Sequence, residues 1–238
     1  MFFNHSDTLD NIQKLADLVA NAKHTYAITG AGISTNAGIP DLHHLASSDS
    51  GSLSSESYLE AHPTEFYNDF HRLFIDPIFH NGPTKSHYAL AELEKQGKLA
   101  GVITTNVDYL HELAGSHQVA DIWRSLNVNH CLTCGRIYDI KILNQSVPRC
   151  PECGGLISPD PVYHNIGIDE NAYAEANSWM AVADLVIVIG SNGYYGNVLP
   201  GVTVVNINNR RNDFDARADL IIRSDSDAAI TTLIENLN

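Results

Sequence analysis

The chain has 238 residues, 44% of them hydrophobic and 18% charged, enough for one large core with room for a smaller module. Fourteen basic against 28 acidic side chains leave a formal charge of -14, which excludes the broad basic face that nucleic acid requires and argues against an anionic membrane partner. The start, Met1-Phe2-Phe3-Asn4-His5-Ser6-Asp7, has no basic stretch leading into an apolar one, and no run approaches the roughly eighteen apolar residues of a membrane span. The expectation is a soluble, cytoplasmic protein.

In chain order, Leu9, Ile12, Leu15, Ala16 and Val19 recur at three- and four-residue steps and predict an amphipathic helix over 8–23, with Asp7 or Thr8 as its N-cap. A short strand over 24–29 then runs straight into Gly30-Ala31-Gly32-Ile33-Ser34, a turn of the kind that can hold phosphates. By itself this turn is also compatible with a ligand-free strand-to-helix connection, because the next glycine is Gly38 and the spacing is not that of a dehydrogenase. Residues 45–57 carry seven serines from Ser47 to Ser57 and read as a solvated loop, with a lid over the turn as the functional alternative.

Further on, the apolar runs 99–104, 185–189, 202–207 and 220–222 have the unbroken character of strands buried on both faces. Helical patterns at 84–96, 171–183 and 227–237 separate most of them, so the reading is an α/β fold with a doubly wound parallel sheet. Residues 130–159 interrupt the alternation and are read as an inserted module, which leaves 1–129 and 160–238 as the main domain. That module holds every cysteine of the chain: Cys131-x-x-Cys134, fifteen residues, then Cys150-x-x-Cys153. Two such knuckles about 15 to 20 residues apart match a tetrahedral zinc site. Disulfides fit an intracellular chain poorly, and a redox dithiol would account for only one pair. Four sulfur ligands leave no open position, so the ion is expected to be structural.

The string from Gly30 to Asp41, GAGISTNAGIPD, resembles the NAD-binding signature of the sirtuins, in which G-A-G-x-S leads to G-I-P-D-F-R. Thr104-Thr105-Asn106-Val107-Asp108-Tyr109-Leu110-His111 is similar to the family's T-Q-N-I-D-x-L-H, followed by Ala114-Gly115. The knuckles with Gly154-Gly155, the strand ending at Gly190-Ser191 and the strand ending at Asn206-Ile207-Asn208 follow in the family's order. The resemblance covers nearly the whole chain. It implies a Rossmann-like NAD domain, a zinc ribbon, and an NAD-dependent protein acyl-lysine deacylase acting on an acylated peptide in the cleft between them.

Carried over by position, the resemblance implies that Gly30, Ala31, Gly32 and the turn's amides meet the pyrophosphate, with Pro40 and Asp41 closing the signature. It implies that Asn106 organises the ribose and a water, that Asp108 with Val107 holds the nicotinamide carboxamide, and that Gly190, Ser191, Asn208 and Ser226 line the adenosine end. The family's base histidine falls in L-H-G-S; here Ile122-Trp123-Arg124-Ser125 stands there, so Trp123 takes the histidine's place and Arg124 the glycine's. An indole nitrogen only donates and cannot accept a proton at neutral pH. Leu42 and His43 replace Phe and Arg, Thr105 replaces Gln, and Val162-Tyr163-His164-Asn165 departs from V-x-F-G-E. His43, His44, His111 and His164 are candidate substitute bases. His164 is the first of them, since its segment borders the peptide cleft, while His111 belongs to the family pattern and reads as structural.

The implied catalytic set is therefore Asn106, Asp108 and His164, with NAD and zinc as cofactors. The alternatives are ADP-ribosyl transfer or NAD hydrolysis on the same fold, and a non-catalytic NAD or ADP-ribose binding module.

Overall fold

The computed structural model describes residues 5–40, 53–165, 167–193 and 195–237. In chain order its elements begin with helix α1 (His5–Asn21) and strand β1 (Thr25–Thr29). Helices α2 (Glu56–Ala61), α3 (Pro63–Phe70), α4 (Asp76–His80) and α5 (Lys85–Lys95) lead to β2 (Gly101–Thr104). A short α6 (Leu110–Leu113) precedes β3 (Val119–Asp121). The strands β4 (Asn129–Cys131), β5 (Ile137–Tyr138) and β6 (Ile157–Pro159) are followed by α7 (Asp160–Tyr163) and α8 (Glu170–Met180). The chain closes with β7 (Leu185–Ile189), β8 (Thr203–Ile207), β9 (Leu220–Ile222) and α9 (Ser226–Leu237).

Six strands form one parallel sheet in the order β3-β2-β1-β7-β8-β9. The chain winds outward from β1 through β2 to β3, returns to β7 beside β1, and winds outward again. This is the doubly wound α/β architecture expected from the alternation of strands and helices, and its reversal lies between β1 and β7. Alternate strand residues serve two cores. Ala27, Val102, Ile187 and Val205 face Leu15, Val19, Leu90 and Ile230 of α1, α5 and α9. Ile28, Ile103, Val186 and Val188 face Ala176 and Met180 of α8, with Phe214 beside them. Period-two alternation with both faces covered explains why these strands read as continuous apolar runs.

A second, antiparallel sheet has the order β5-β4-β6 and carries the cysteines at its turns. It packs on a third core built from Phe66, Tyr67 and Phe70 of α3 with Leu143 and Ile157, and the Tyr67 hydroxyl donates to the Ile157 carbonyl at 2.7 Å.

Several sequence expectations shift here. The first helix begins at His5, so Asp7 and Thr8 lie inside its first turn and neither is its N-cap. The loop expected through residue 57 ends earlier, because Ser55 caps α2 by accepting from the Tyr58 amide at 3.3 Å. Residues 45–52, and with them the lid alternative, lie outside the described residues. Thr84 caps α5, and Asp169, not assigned from the sequence, caps α8 through the amides of Asn171 and Ala172. Among the described residues no helix is long and apolar enough to cross a membrane.

Candidate nucleotide and metal sites

The sheet reversal dictates where a ligand can enter. Outside the carboxyl ends of β1, β2, β7 and β8 the connections part, and a cavity of about 400 Å³ opens there. Its wall takes in the turn Gly30, Ala31 and Gly32, then Pro40, the strand exit Asn106, Val107 and Asp108, and Gly190, Asn208 and Ser226. Those residues come from five separate stretches of chain that the sequence could only line up by resemblance. Ser191 stands one residue behind the wall, fully buried, its carbonyl accepting from Asn208 and Asn212. Asp41, Leu42, His43 and His44 lie outside the described residues.

The turn is built by close backbone approach. A Cβ on Gly32 would lie 2.7 Å from the Gly190 Cα, and one on Gly30 2.8 Å from the Ser191 Cα. Glycine is required here for contact between the two strand ends. The Gly32 amide donates to the Gly190 carbonyl at 3.0 Å, and the Ile33 and Ser34 amides donate to Gly30 and Ala31. These amides are already committed, which narrows the expected pyrophosphate contact toward Ala31.

At the β2 exit, Ser34 Oγ donates to Asp108 Oδ2 at 2.6 Å and the Leu110 amide donates to Asp108 Oδ1 at 3.1 Å. Asn106 Nδ2 donates to the Gly30 carbonyl and to Ser34 Oγ, each at 3.2 Å. The two predicted polar residues are thus locked to the glycine turn, 72 to 76 positions away in sequence. Burial raises the Asp108 carboxyl above its ordinary range, against the pull of the Ser34 and Leu110 donors. Behind it, burial and the neighbouring Glu112 raise Asp121 further, an acidic pocket the sequence reading does not assign.

The cavity fits a dinucleotide on grounds of its own. Ser226 Oγ, in its wall, is buried without a partner, and an unsatisfied buried hydroxyl is what a ligand's polar atom would satisfy. Trp123 lines the same cavity as Asn106 and Asp108. The next residue, Arg124, has φ +69°. That left-handed backbone is the reason a glycine suits this position, and in a side-chain-bearing residue it costs on the order of 1–2 kcal/mol. Arg124 reaches Asp169 at 3.3 Å and Asp160 at 3.7 Å. His164 is not in the cavity wall; its Nε2 lies 3.3 Å from Asp160 Oδ1. His111 is buried with Nε2 2.9 Å from Thr29 Oγ1, a packing position. Sequence reasoning missed Phe74, Arg210 and Arg211 in the wall; Phe74 comes from the helical region between Glu56 and His80, for which the sequence offered no motif.

In the small sheet the thiols converge. Cys131 and Cys153 sulfurs are 3.5 Å apart, Cys134 and Cys150 3.8 Å, and all four lie within 4.8 Å of one another. A tetrahedron with zinc-sulfur bonds of about 2.3 Å has edges of roughly 3.8 Å. The two knuckles repeat one turn: Gly135 donates to the Cys131 carbonyl and Gly154 to that of Cys150, each at 2.9 Å, with φ +69° and +74°. The four thiols fit a single structural zinc ion, and the Tyr138 hydroxyl sits 2.9 Å from the Cys150 sulfur.

A parallel sheet with a glycine turn at its reversal, joined to a four-thiol ribbon, defines a nucleotide-cleft protein with a metal-stabilised module. The model of the Sir2 family matches residues 30–195, and the chain belongs to that family. It is 33% identical over 231 residues to an NAD-dependent protein deacetylase of Clostridium perfringens, covering 90% of this chain and 94% of that one. It is 35% identical over 248 residues to NAD-dependent protein deacetylase 1 of Pyrobaculum aerophilum, covering 97% and 96%. Among solved structures it resembles a Sir2 protein with a p53 peptide and NAD+ (TM-score 0.77, 31% identity, 94% and 97% covered). It also resembles Sir2Tm bound to a propionylated peptide (TM-score 0.78, 29% identity, 95% and 99% covered).

Proposed function

We propose that the chain is an NAD-dependent protein acyl-lysine deacylase in which nicotinamide release outpaces completion of deacylation. The relatives' activity supports the first part. The observation that carries the second is Trp123 in the wall of the cavity that Asn106 and Asp108 also line, where the family pattern places a histidine base.

When bound, NAD supplies a ribose carbon from which nicotinamide can leave as the acyl oxygen attacks. The chain's part in that step is to hold the groups. Asn106, with Nδ2 committed to Gly30 and Ser34, has its carbonyl oxygen left to order a water or a ribose hydroxyl. Asp108, fixed through both oxygens, offers its remaining lone pairs to a carboxamide N–H. Neither role needs Trp123. The later step, attack by a ribose hydroxyl, needs a proton acceptor, and the indole is none. A missing general base costs about a hundred- to ten-thousand-fold, or roughly 2.7 to 5.4 kcal/mol.

A second reading, ADP-ribosyl transfer or NAD hydrolysis, is favoured by α7. The segment Val162-Tyr163-His164-Asn165, which departs from the family's peptide-pairing V-x-F-G-E, starts inside a helical turn over Asp160–Tyr163, so Val162 and Tyr163 do not have the extended backbone that pairs with a peptide. One assay separates the readings. Protein is incubated with NAD, with and without acyl-lysine peptides, while nicotinamide, acyl-ADP-ribose and freed lysine peptide are followed together. The deacylase reading expects peptide-dependent nicotinamide release exceeding deacylated product, and Trp123→His raising product by about a hundred- to ten-thousand-fold. Peptide-independent release supports the second reading, saturable binding without product supports a non-catalytic module, and equal, fast formation of both products overturns the claim of a slowed second half.

A further inference from the structure

A second set of metal-ligating side chains stands apart from the four thiols and outside the nucleotide cavity. Asp160 opens α7 and His164 follows four residues later, a spacing that puts carboxylate and imidazole on one side of a helical turn. His130 arrives from the middle of β4, next to β6, in register with Ser158. His130 Nε2 lies 2.8 Å and His164 Nε2 3.3 Å from the same oxygen, Asp160 Oδ1, and the three donor atoms fall within 4.8 Å of one another. An ion bonded at about 2.0 to 2.2 Å to nitrogen and oxygen spaces its neighbouring donors by roughly 3.0 to 3.5 Å.

We propose that His130, Asp160 and His164 bind a divalent ion of the zinc class, as a second metal site distinct from the cysteine ribbon. Imidazole and carboxylate are the donors such ions favour. The donors are held before any ion arrives. The Tyr163 ring stacks on His130 with centroids 4.4 Å apart and planes 19° from parallel, and Arg124 lies 3.7 Å from the other oxygen of Asp160. Asp160 is 7% exposed while His164 is 37% exposed, so the cluster opens to solvent on the His164 side. Three protein donors leave a coordination position free for water or another small ligand, unlike the closed four-thiolate site. The competing arrangement is an ion-free hydrogen-bond network in which both imidazoles donate to Asp160. This inference does not rest on the deacylase reading.

The test uses untagged, full-length protein loaded with zinc, freed of loose metal by exchange into metal-free buffer, and analysed for metal content. Two zinc ions per chain are expected, falling to one in His164→Ala and in Asp160→Asn. Replacement with cobalt(II) distinguishes the sites by their ligands. The four-thiolate site gives intense sulfur-to-cobalt absorption, and the second equivalent is expected to add only weak bands. In both variants the intense absorption stays, which shows that the cysteine ribbon still forms, and thermal unfolding is expected to remain cooperative, while the second equivalent binds at least tenfold more weakly. One zinc per wild-type chain with no second cobalt equivalent, or a second equivalent that both variants bind as the wild type does, overturns the proposal.

Discussion

At the scale of single residues the site depends on atoms that are missing. Gly32 meets the Gly190 Cα and carbonyl, so a methyl group there strikes backbone at 2.7 to 2.8 Å with no flexible side chain to yield. Gly32→Ala is therefore expected to lower unfolding stability by about 1–3 kcal/mol and to abolish nucleotide binding together. Denaturant unfolding and calorimetry of one preparation check this, and a variant of wild-type stability that still binds NAD contradicts it. The glycines, Asn106, Asp108 and the cysteines were legible because their types and spacing form a recognisable pattern. Ser34 as the partner of Asp108 was not, because the contact joins residues 74 apart and a serine carries no local signal of so distant a bond. Trp123 and Arg124 were visible as departures, yet the +69° φ that makes the arginine costly, and the carboxylates that offset it, emerge only from the folded backbone.

At the scale of elements, α5 and α6 bring two histidines together in the interior. His87 and His111 have ring centroids 4.6 Å apart and both are buried. Burial lowers His87 from its ordinary 6.5 to about 3, and burial with the nearby His87 lowers His111 in the same direction. A histidine held below its unfolded value is neutral in the fold, so the unfolded chain takes up more protons in this window. Stability from this pair is complete above about pH 6.5 and is lost as the pH falls, by up to about 1.4 kcal/mol per pH unit for each proton. His87→Gln is expected to take one proton from that dependence between pH 6.5 and 4, measured by denaturant unfolding across the range. An unchanged slope would refute the assignment. Five of the six strands of the parallel sheet were legible within one or two residues of their ends because burial on both faces writes itself as an apolar run, whereas the three-residue edge strand β3 was not read. The helices from Glu56 to His80 were not: their apolar residues, Leu59, Phe66, Phe70 and Ile78, pack on the cysteine sheet, and the π-helical turn over His71–Ile75 shifts the helical period partway along.

At the scale of the whole molecule, the order of strands decides where chemistry can occur. A sheet that reverses between β1 and β7 leaves one crevice at the strand ends, and the glycine turn, Asn106, Asp108 and Asn208 each follow a strand that finishes there. The alternation in the sequence foretold a parallel doubly wound sheet, whereas strand order is a property of long-range pairing that local patterns do not encode. The cysteine sheet reaches this frame through α3, with Tyr67 tied to the Ile157 carbonyl, so the metal-stabilised module and the nucleotide domain share a packed boundary.

The account stands on the crevice holding a dinucleotide against the glycine turn with its amide end at Asp108. Isothermal calorimetry on zinc-loaded protein tests it most directly. One NAD per chain is expected, weakened about ten- to a hundredfold by Asp108→Ala, the effect of removing one buried hydrogen-bonding group at roughly 1–3 kcal/mol, while ADP-ribose, which lacks the amide, loses little affinity to that substitution. Absence of binding by both NAD and ADP-ribose to the wild-type chain would contradict it.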